Sequence, residues 1–164
     1  MYTISAKRVL AVEKTGDKLA ILITDFLNYK TINLPAARWI SFVCEFDNID
    51  EAVRQLRNKQ YVKYVKHIGG WWHVSVTTGF ACIDIRCQYQ NDQEIRPKRD
   101  GFAIRLWEWP ILREIAEKLI VDVPELAAVQ PCCFSPDHRS LAVYRQCPEC
   151  SPFEIRAVLD SLKM

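Results

Sequence analysis

The chain has 164 residues, 49% of them hydrophobic, with five Trp, six Tyr and seven Phe, so it can form a substantial core in one domain or in two small ones. Only five residues are glycine, which excludes a fibrous or low-complexity chain. The net charge of +2 excludes nucleic-acid binding driven by overall charge, so any such binding has to come from a local basic surface.

The first 60 residues predict strands followed by a helix. Runs rich in branched residues at 9–12 and 19–23 predict two strands, and KTGDK at 14–18 is typical of a hairpin turn between them. A short third strand is predicted at 31–34. Pro35 suits the first turn of a helix, which the apolar spacing predicts from 36 to 58 with a break near 46–48.

The same order of elements returns in the second half. WWHVSV at 71–76 and FACIDIRCQY at 80–89 predict strands, and the polar QNDQEIRPKRDG at 90–101 predicts a loop. FAIRL at 102–106 predicts a third strand, and 107–120 a helix that tolerates Pro110 in its first turn. The repetition predicts a first unit at 1–60, a second at 61–129, and a Cys-rich tail at 130–164 that ends in a helix.

Four motifs resemble one known family. HIGGWWHVSV (67–76), IDIRCQY (83–89) and EIRPKRDGFAIRL (94–106) are similar to the DNA-binding domain of the eukaryotic transcriptional coactivator called positive cofactor four, and DNIDEAVRQL (47–56) matches the end of that family's helix. The resemblance covers about residues 2–126. It implies an α+β fold: two tandem copies of a curved antiparallel sheet backed by a helix, paired as an intramolecular pseudo-dimer because the family is homodimeric.

The second unit carries the candidate binding residues. Single-stranded nucleic acid needs cations along its backbone and aromatic faces for its bases, and residues 61–106 hold seven basic and four acidic residues. The resemblance implies binding roles for arginines and for one aromatic residue. Strand alternation adds residues of the WWHVSV motif as further candidates. The candidates are Arg86, Tyr89, Arg96, Lys98, Arg99, Trp71, Trp72 and His73. Packing in the core is the alternative for either tryptophan, and a solvated turn is the alternative for the loop charges.

The first unit departs from this pattern. Thr24 stands where the second unit has Arg86, and the short LNY replaces the basic loop. The first unit keeps the family's helix, whereas the second keeps its basic residues. We therefore expect nucleic-acid binding to be centred on the second unit.

Seven cysteines, an odd number, favour reduced thiols over a disulfide framework. A zinc site is one interpretation of the tail, because Cys147 and Cys150 have knuckle spacing. Its proposed ligands are Cys132 or Cys133, His138, Cys147 and Cys150. A reduced cysteine cluster and a CxxC redox pair are the alternatives. Cys44, Cys82 and Cys87 are expected to be small core residues.

The sequence thus predicts a non-enzymatic single-stranded-DNA-binding protein that resembles a transcription coactivator. Catalysis has little support, because the sequence has no Gly-rich phosphate loop and no nucleophile beside an evident base. The start MYTISAKRVL has no signal-peptide pattern and no apolar run could span a bilayer, so we expect a nuclear or cytosolic protein without membrane contact. Two alternatives remain: single-stranded RNA binding, and a protein-interaction scaffold whose DNA face has decayed.

Overall fold

A computed structural model describes residues 1–69, 72–90 and 95–131. For residues 88–90 and 95–100 it describes the backbone only. The first unit is a four-stranded antiparallel sheet in the order β1-β2-β3-β4, followed by two helices. Its elements are β1 (Tyr2–Ser5), β2 (Arg8–Thr15), β3 (Lys18–Asp25), β4 (Lys30–Pro35), α1 (Ala36–Val43) and α2 (Phe46–Arg57).

The second unit is also a four-stranded antiparallel sheet, in the order β5-β6-β7-β8, followed by one helix and a short 3-10 turn. Its elements are β5 (Lys63–Gly69), β6 (Trp72–Thr77), β7 (Cys82–Gln90), β8 (Ile95–Arg105), α3 (Trp109–Asp122) and the 3-10 segment Pro124–Ala128. Two antiparallel sheets with three helices among the described residues confirm the α+β class.

The prediction of a loop over residues 90–101 is wrong for residue 90 and for residues 95–101, which lie in strands, whereas residues 91–94 lie outside the described part of the chain. Strand β7 runs to Gln90 and β8 begins at Ile95, so the two strands form a long hairpin in which Tyr89 pairs with Arg96. Pro97 is tolerated because β8 is the edge of its sheet, where one side of the strand needs no ladder hydrogen bonds. The polar composition of this hairpin concealed its strand pairing.

Two other boundaries differ from the predicted ones. Strand β5 was not predicted, because its exposed lysines and Val65 leave no apolar alternation and its two buried residues, Ile68 and Gly69, are adjacent. The long helix predicted at 36–58 is divided between Val43 and Phe46, slightly before the predicted break. Pro110 does lie in the first turn of α3, as predicted.

The two sheets have the same strand register. In each, the pairing of the first two strands shifts by one residue near the start of the second strand, which makes Arg8 and Trp72 equivalent. Thr24 pairs with Thr31 where Arg86 pairs with Gly101. The units therefore correspond residue by residue along their strands.

One continuous core joins the units. Helix α1 contacts β5 of the second sheet as well as β3 and β4 of its own, and α3 contacts β1. The ring of Trp109 from α3 lies edge-on to Phe46 from α2, with ring centroids 4.9 Å apart, and to Phe42 from α1 at 6.1 Å. Trp39, Phe42 and Trp109 are all almost completely buried, and each such side chain contributes about 1.5–3 kcal/mol.

The cysteines inside the described elements are less buried than expected. Cys44 is exposed at the end of α1, so its prediction as a core residue is wrong. Cys82 and Cys87 are half-buried on β7. Alternation explains this for Cys82, which lies on the opposite face from the completely buried Ile83 and Ile85. Cys87 has the same parity as these isoleucines but lies where the pairing of β7 with β8 shifts its register.

Gly101 allows β8 to pass close to β7 at Arg86. Its φ is +133°, and a Cβ built there would lie 2.3 Å from the carbonyl oxygen of Ile85 and 2.6 Å from the Cα of Arg86. We expect Gly101→Ala to lower the free energy of unfolding by about 2 kcal/mol, since both the conformation and the contact become strained. Chemical denaturation measures this. Gly16→Ala is the control: it also has positive φ but has open space around it, so a loss as large as that of Gly101→Ala would contradict the role of the close contact.

Candidate nucleic-acid interface

The outer face of the second sheet carries the polar residues. Strand pairing aligns His73 with Arg86, and Ser75 with Asp84. The alternate residues of the same strands, such as Val74 and Ile85, are completely buried beneath them. The sheet therefore holds its polar side chains on a rigid support away from the core.

Arg86 is paired with Asp84 on this face. Its Nε donates to Oδ2 of Asp84 and its Nη2 donates to Oδ1, both at 3.1 Å. The two side chains are 23% and 27% exposed. A phosphate that approaches Arg86 thus meets a partly neutralised guanidinium. The sequence contained the signal for this pair, since residues two apart on a strand share a face.

A cavity of about 370 Å³ opens beside this ion pair. Its lining residues come from β6, β7, β8 and the turn between β6 and β7: Ser75, Thr77, Phe80, Cys82, Asp84, Arg86 and Ala103. Phe80 was not among the predicted candidates, although its side chain is 68% exposed beside the basic residue. An exposed ring next to a cation is the pairing on which a nucleobase can stack. Burial, followed by the charge of Asp84, raises the pKa of the Cys82 thiol, so this thiol stays protonated at neutral pH.

Trp72 and His73 of the WWHVSV motif lie on opposite faces of β6. Trp72 is half-buried, packs against the core, and has the guanidinium of Arg38 5.7 Å from its ring. His73 lies on the outer face, paired with Arg86 across the strands, and its ring centroid is 5.2 Å from that of His67. His73 is thus beside the candidate interface, whereas Trp72 is directed to the contact between the units.

His67 is neutral at physiological pH. Burial, with smaller effects from His73, Arg38 and Lys66, lowers its pKa to about 4. The unfolded chain would therefore bind a proton between pH 6.5 and 4 that the folded chain does not. We expect the free energy of unfolding to fall over this range as pH falls, by at most about 1.4 kcal/mol per pH unit.

The measurement is a series of denaturation curves between pH 7 and 4 for the parent protein and His67→Gln. The variant has no imidazole to protonate, so its stability should depend less steeply on pH over this window. Identical slopes would show that other groups cause the pH dependence.

For some of the remaining candidates the structure describes the backbone, and the others lie outside the described residues. The backbones of Tyr89, Arg96, Lys98 and Arg99 lie in the β7–β8 hairpin, where Tyr89 and Arg96 are directly paired. Their side chains lie outside the described part, as does Trp71. The proposed zinc ligands Cys132, His138, Cys147 and Cys150 also lie outside the described residues. Within residues 1–69, 72–90 and 95–131, no three His, Cys, Asp or Glu side chains are grouped to hold a metal ion.

The matching face of the first sheet has different chemistry. Thr24, in the place of Arg86, shares a hydrogen bond of 3.1 Å with Thr31. The connection after β3 spans only residues 26–29, so it cannot form a long basic hairpin. This face therefore lacks the arginine that distinguishes the second unit.

Arg8 connects the two units. It donates from Nε to Asp25 at 3.1 Å and from Nη1 to Glu108 at 2.9 Å, and its guanidinium lies 4.9 Å from the ring of Phe102. Asp25 and Glu108 are each 2% exposed. Burial by itself would raise the pKa of Asp25, but hydrogen bonds from the Asn28 amide and from Arg8 outweigh it, so the pKa lies below its ordinary value.

No helix among the described residues has the length and apolar character needed to cross a membrane. The comparison with models of protein families finds no match to this chain. The comparison with curated proteins finds no match either.

Proposed function

We propose that this protein binds single-stranded DNA without catalysing a reaction, and that the outer face of the second sheet is the binding surface. One observation carries the proposal: Arg86, the exposed ring of Phe80 and the long β7–β8 hairpin all lie on the same sheet. This hairpin carries Tyr89, Arg96, Lys98 and Arg99 in its strands. A strand pair presents such residues at regular spacing, as a backbone-following surface requires.

The proposed architecture is a pseudo-dimer of two tandem copies of the coactivator-like unit. The equivalent strand registers of the two sheets support it. So does the reciprocal packing, in which α1 contacts β5 and α3 contacts β1. Tethering makes the association of the units intramolecular and therefore favours it. In this arrangement only one of the two sheet faces is equipped to bind DNA, and the protein would act where single strands are exposed, as in transcription.

Fluorescence polarisation with a labelled single-stranded oligothymidine tests the function. We expect binding at low salt that weakens as salt rises and that duplex DNA competes for poorly, because stacking requires unpaired bases. An RNA oligonucleotide of the same length decides between DNA and RNA. Absence of binding at low salt would overturn the proposal.

The Asp84–Arg86 pair gives a sharper test of the surface. Asp84→Asn removes the competing charge while keeping the shape, so we expect affinity for oligothymidine to rise by about three- to tenfold. Asp17→Asn, in the exposed β2–β3 turn, makes the same change of net charge away from the surface and serves as control. An Asp84→Asn affinity no higher than that of Asp17→Asn would show that phosphate does not compete with Asp84.

A protein-interaction scaffold is the second candidate. One observation favours it: large apolar side chains are exposed around the start of α3 and the β3–β4 connection, where Leu27 and Trp107 line a second cavity of about 290 Å³. Phe26, Leu27 and Trp107 are each more than half exposed. Replacing Leu27 and Trp107 by serine should leave oligothymidine binding unchanged under the leading proposal, since neither lies on the second sheet's outer face.

A further inference from the structure

Equivalent positions in the two units carry different side chains where the units meet. Arg8 and Trp72 are equivalent by strand register. Leu34 and Ile104 are likewise equivalent, and four residues beyond them stand Arg38 and Glu108. The tryptophan that follows each of these last two is buried, which supports the alignment.

The same contact is made twice, once in each direction. Arg8 of the first unit binds Glu108 of the second at 2.9 Å. Trp72 of the second unit lies under the guanidinium of Arg38 from the first, 5.7 Å away. One contact is an ion pair with a buried carboxylate and the other is a cation–π contact. Each is favourable only because the two units differ.

A pair of identical units could not reproduce these contacts. Two N-terminal units joined in the same geometry would place Arg8 against Arg38 at both positions, which sets like charges together. Two C-terminal units would place Trp72 against Glu108 twice, so each buried carboxylate would lose its cation. Both alternatives thus contain a repulsive or unpaired charge, which is how interfaces reject wrong partners.

The helix contact has the same asymmetry. The Nε1 of Trp109 donates to Asp50 at 2.7 Å, and Arg113 binds the same carboxylate. The positions equivalent to Arg113 and Asp50 hold Val43 and Ile120, which line one groove on the helices. Two N-terminal units would set Asp50 against Val43, and two C-terminal units would set Arg113 against Ile120.

We propose that these positions form a pairing code, by which each unit accepts the other unit and rejects a second copy of itself. The inference rests on the paired architecture proposed above and is independent of nucleic-acid binding. It restricts every pair to one unit with Arg86 and one with Thr24. The protein therefore carries one equipped single-strand-binding face per pair.

The test uses the full chain with a protease site inserted in the exposed turn at residues 58–61, which joins α2 to β5. The folded protein is cut, mixed with an isotope-labelled cut sample, incubated until fragments exchange, and read by native mass spectrometry. We expect heterotypic pairs to exceed homotypic pairs by at least about a hundredfold, the order set by an unpaired buried charge. Homotypic pairs of comparable abundance would overturn the code. Fragments that separate completely would overturn the paired architecture, whereas oligothymidine binding by the intact chain tests the function separately.

Arg8→Trp combined with Glu108→Arg makes both contacts Trp–Arg, so the discrimination at this position disappears. We expect homotypic pairs of the cut variant to rise at least about tenfold. Should this variant fail to fold, Glu108→Gln removes the buried charge that opposes pairing of two C-terminal units, and such pairs should appear. Glu51→Gln, an exposed position on α2, is the control and should stay heterotypic. Strictly heterotypic pairing in the Glu108 variants would show that these residues do not carry the code.

Discussion

Replacing Arg86, Arg96 and Arg99 together by alanine should lower the affinity for single-stranded oligothymidine by about a hundredfold at low salt. Arg86 lies on the outer face of the second sheet, and the other two stand on β8 of the adjoining hairpin. Each phosphate contact releases condensed counterions, so removing three should also reduce the slope of log affinity against log salt by about 2. Fluorescence polarisation across a salt series measures both quantities.

The matched control replaces Lys7, Lys14 and Lys18 by alanine. These residues are exposed in or beside β2 and β3 of the first unit, so the change in net charge is the same. A local binding surface requires that this variant keep most of the affinity. Equal losses in the two triple variants would mean that binding follows overall charge, and no loss in either would favour the scaffold function. Thermal unfolding of both variants confirms that they are folded.

The sequence was sufficient for the class of the fold because the buried residues of the strands alternate in the usual way. Ile21, Ile23, Ile83 and Ile85 occupy every second position and are completely buried. The hairpin turn at residues 14–18 predicted the boundary between β2 and β3, and Pro110 predicted the start of α3. Strand β5 and the β7–β8 hairpin were missed because their sequences are largely polar and lack a clear alternation, and it is pairing with a neighbouring strand that makes them strands.

The candidate site could be predicted only in part. The resemblance to the coactivator family identified Arg86, and alternation separated His73 from Trp72; the pairing of β6 with β7 then places His73 beside Arg86. The pairing of Arg86 with Asp84 and the exposure of Phe80 depend on side-chain geometry, which no residue pattern specifies. Trp72 could have been placed only by knowing that Arg38 from the other unit covers it. Contacts between the units are therefore the part of the site that is hardest to predict from the sequence.

Arg8→Met should cause the largest loss of stability, about 3–5 kcal/mol in the free energy of unfolding. The guanidinium binds both Asp25 and Glu108, each of them 2% exposed, so its removal leaves two buried carboxylates without a cation. Methionine keeps much of the apolar length of the side chain, which limits the loss of packing over Phe102. Denaturation in urea at pH 7 measures the effect.

Arg54→Met is the control, because Arg54 pairs with Glu51 on the exposed surface of α2 and both side chains are more than half exposed. Its cost should be within about 0.5 kcal/mol, since surface ion pairs contribute little. The pH dependence adds a second criterion. The pKa of Asp25 is lowered in the folded protein, so its contribution is present above its unfolded pKa and is lost as pH falls through the folded value. The difference between Arg8→Met and the parent should therefore shrink in acid, where the carboxylates of both proteins take up protons. A difference that stays constant down to pH 3 would show that Arg8 stabilises the contact through packing and not through charge.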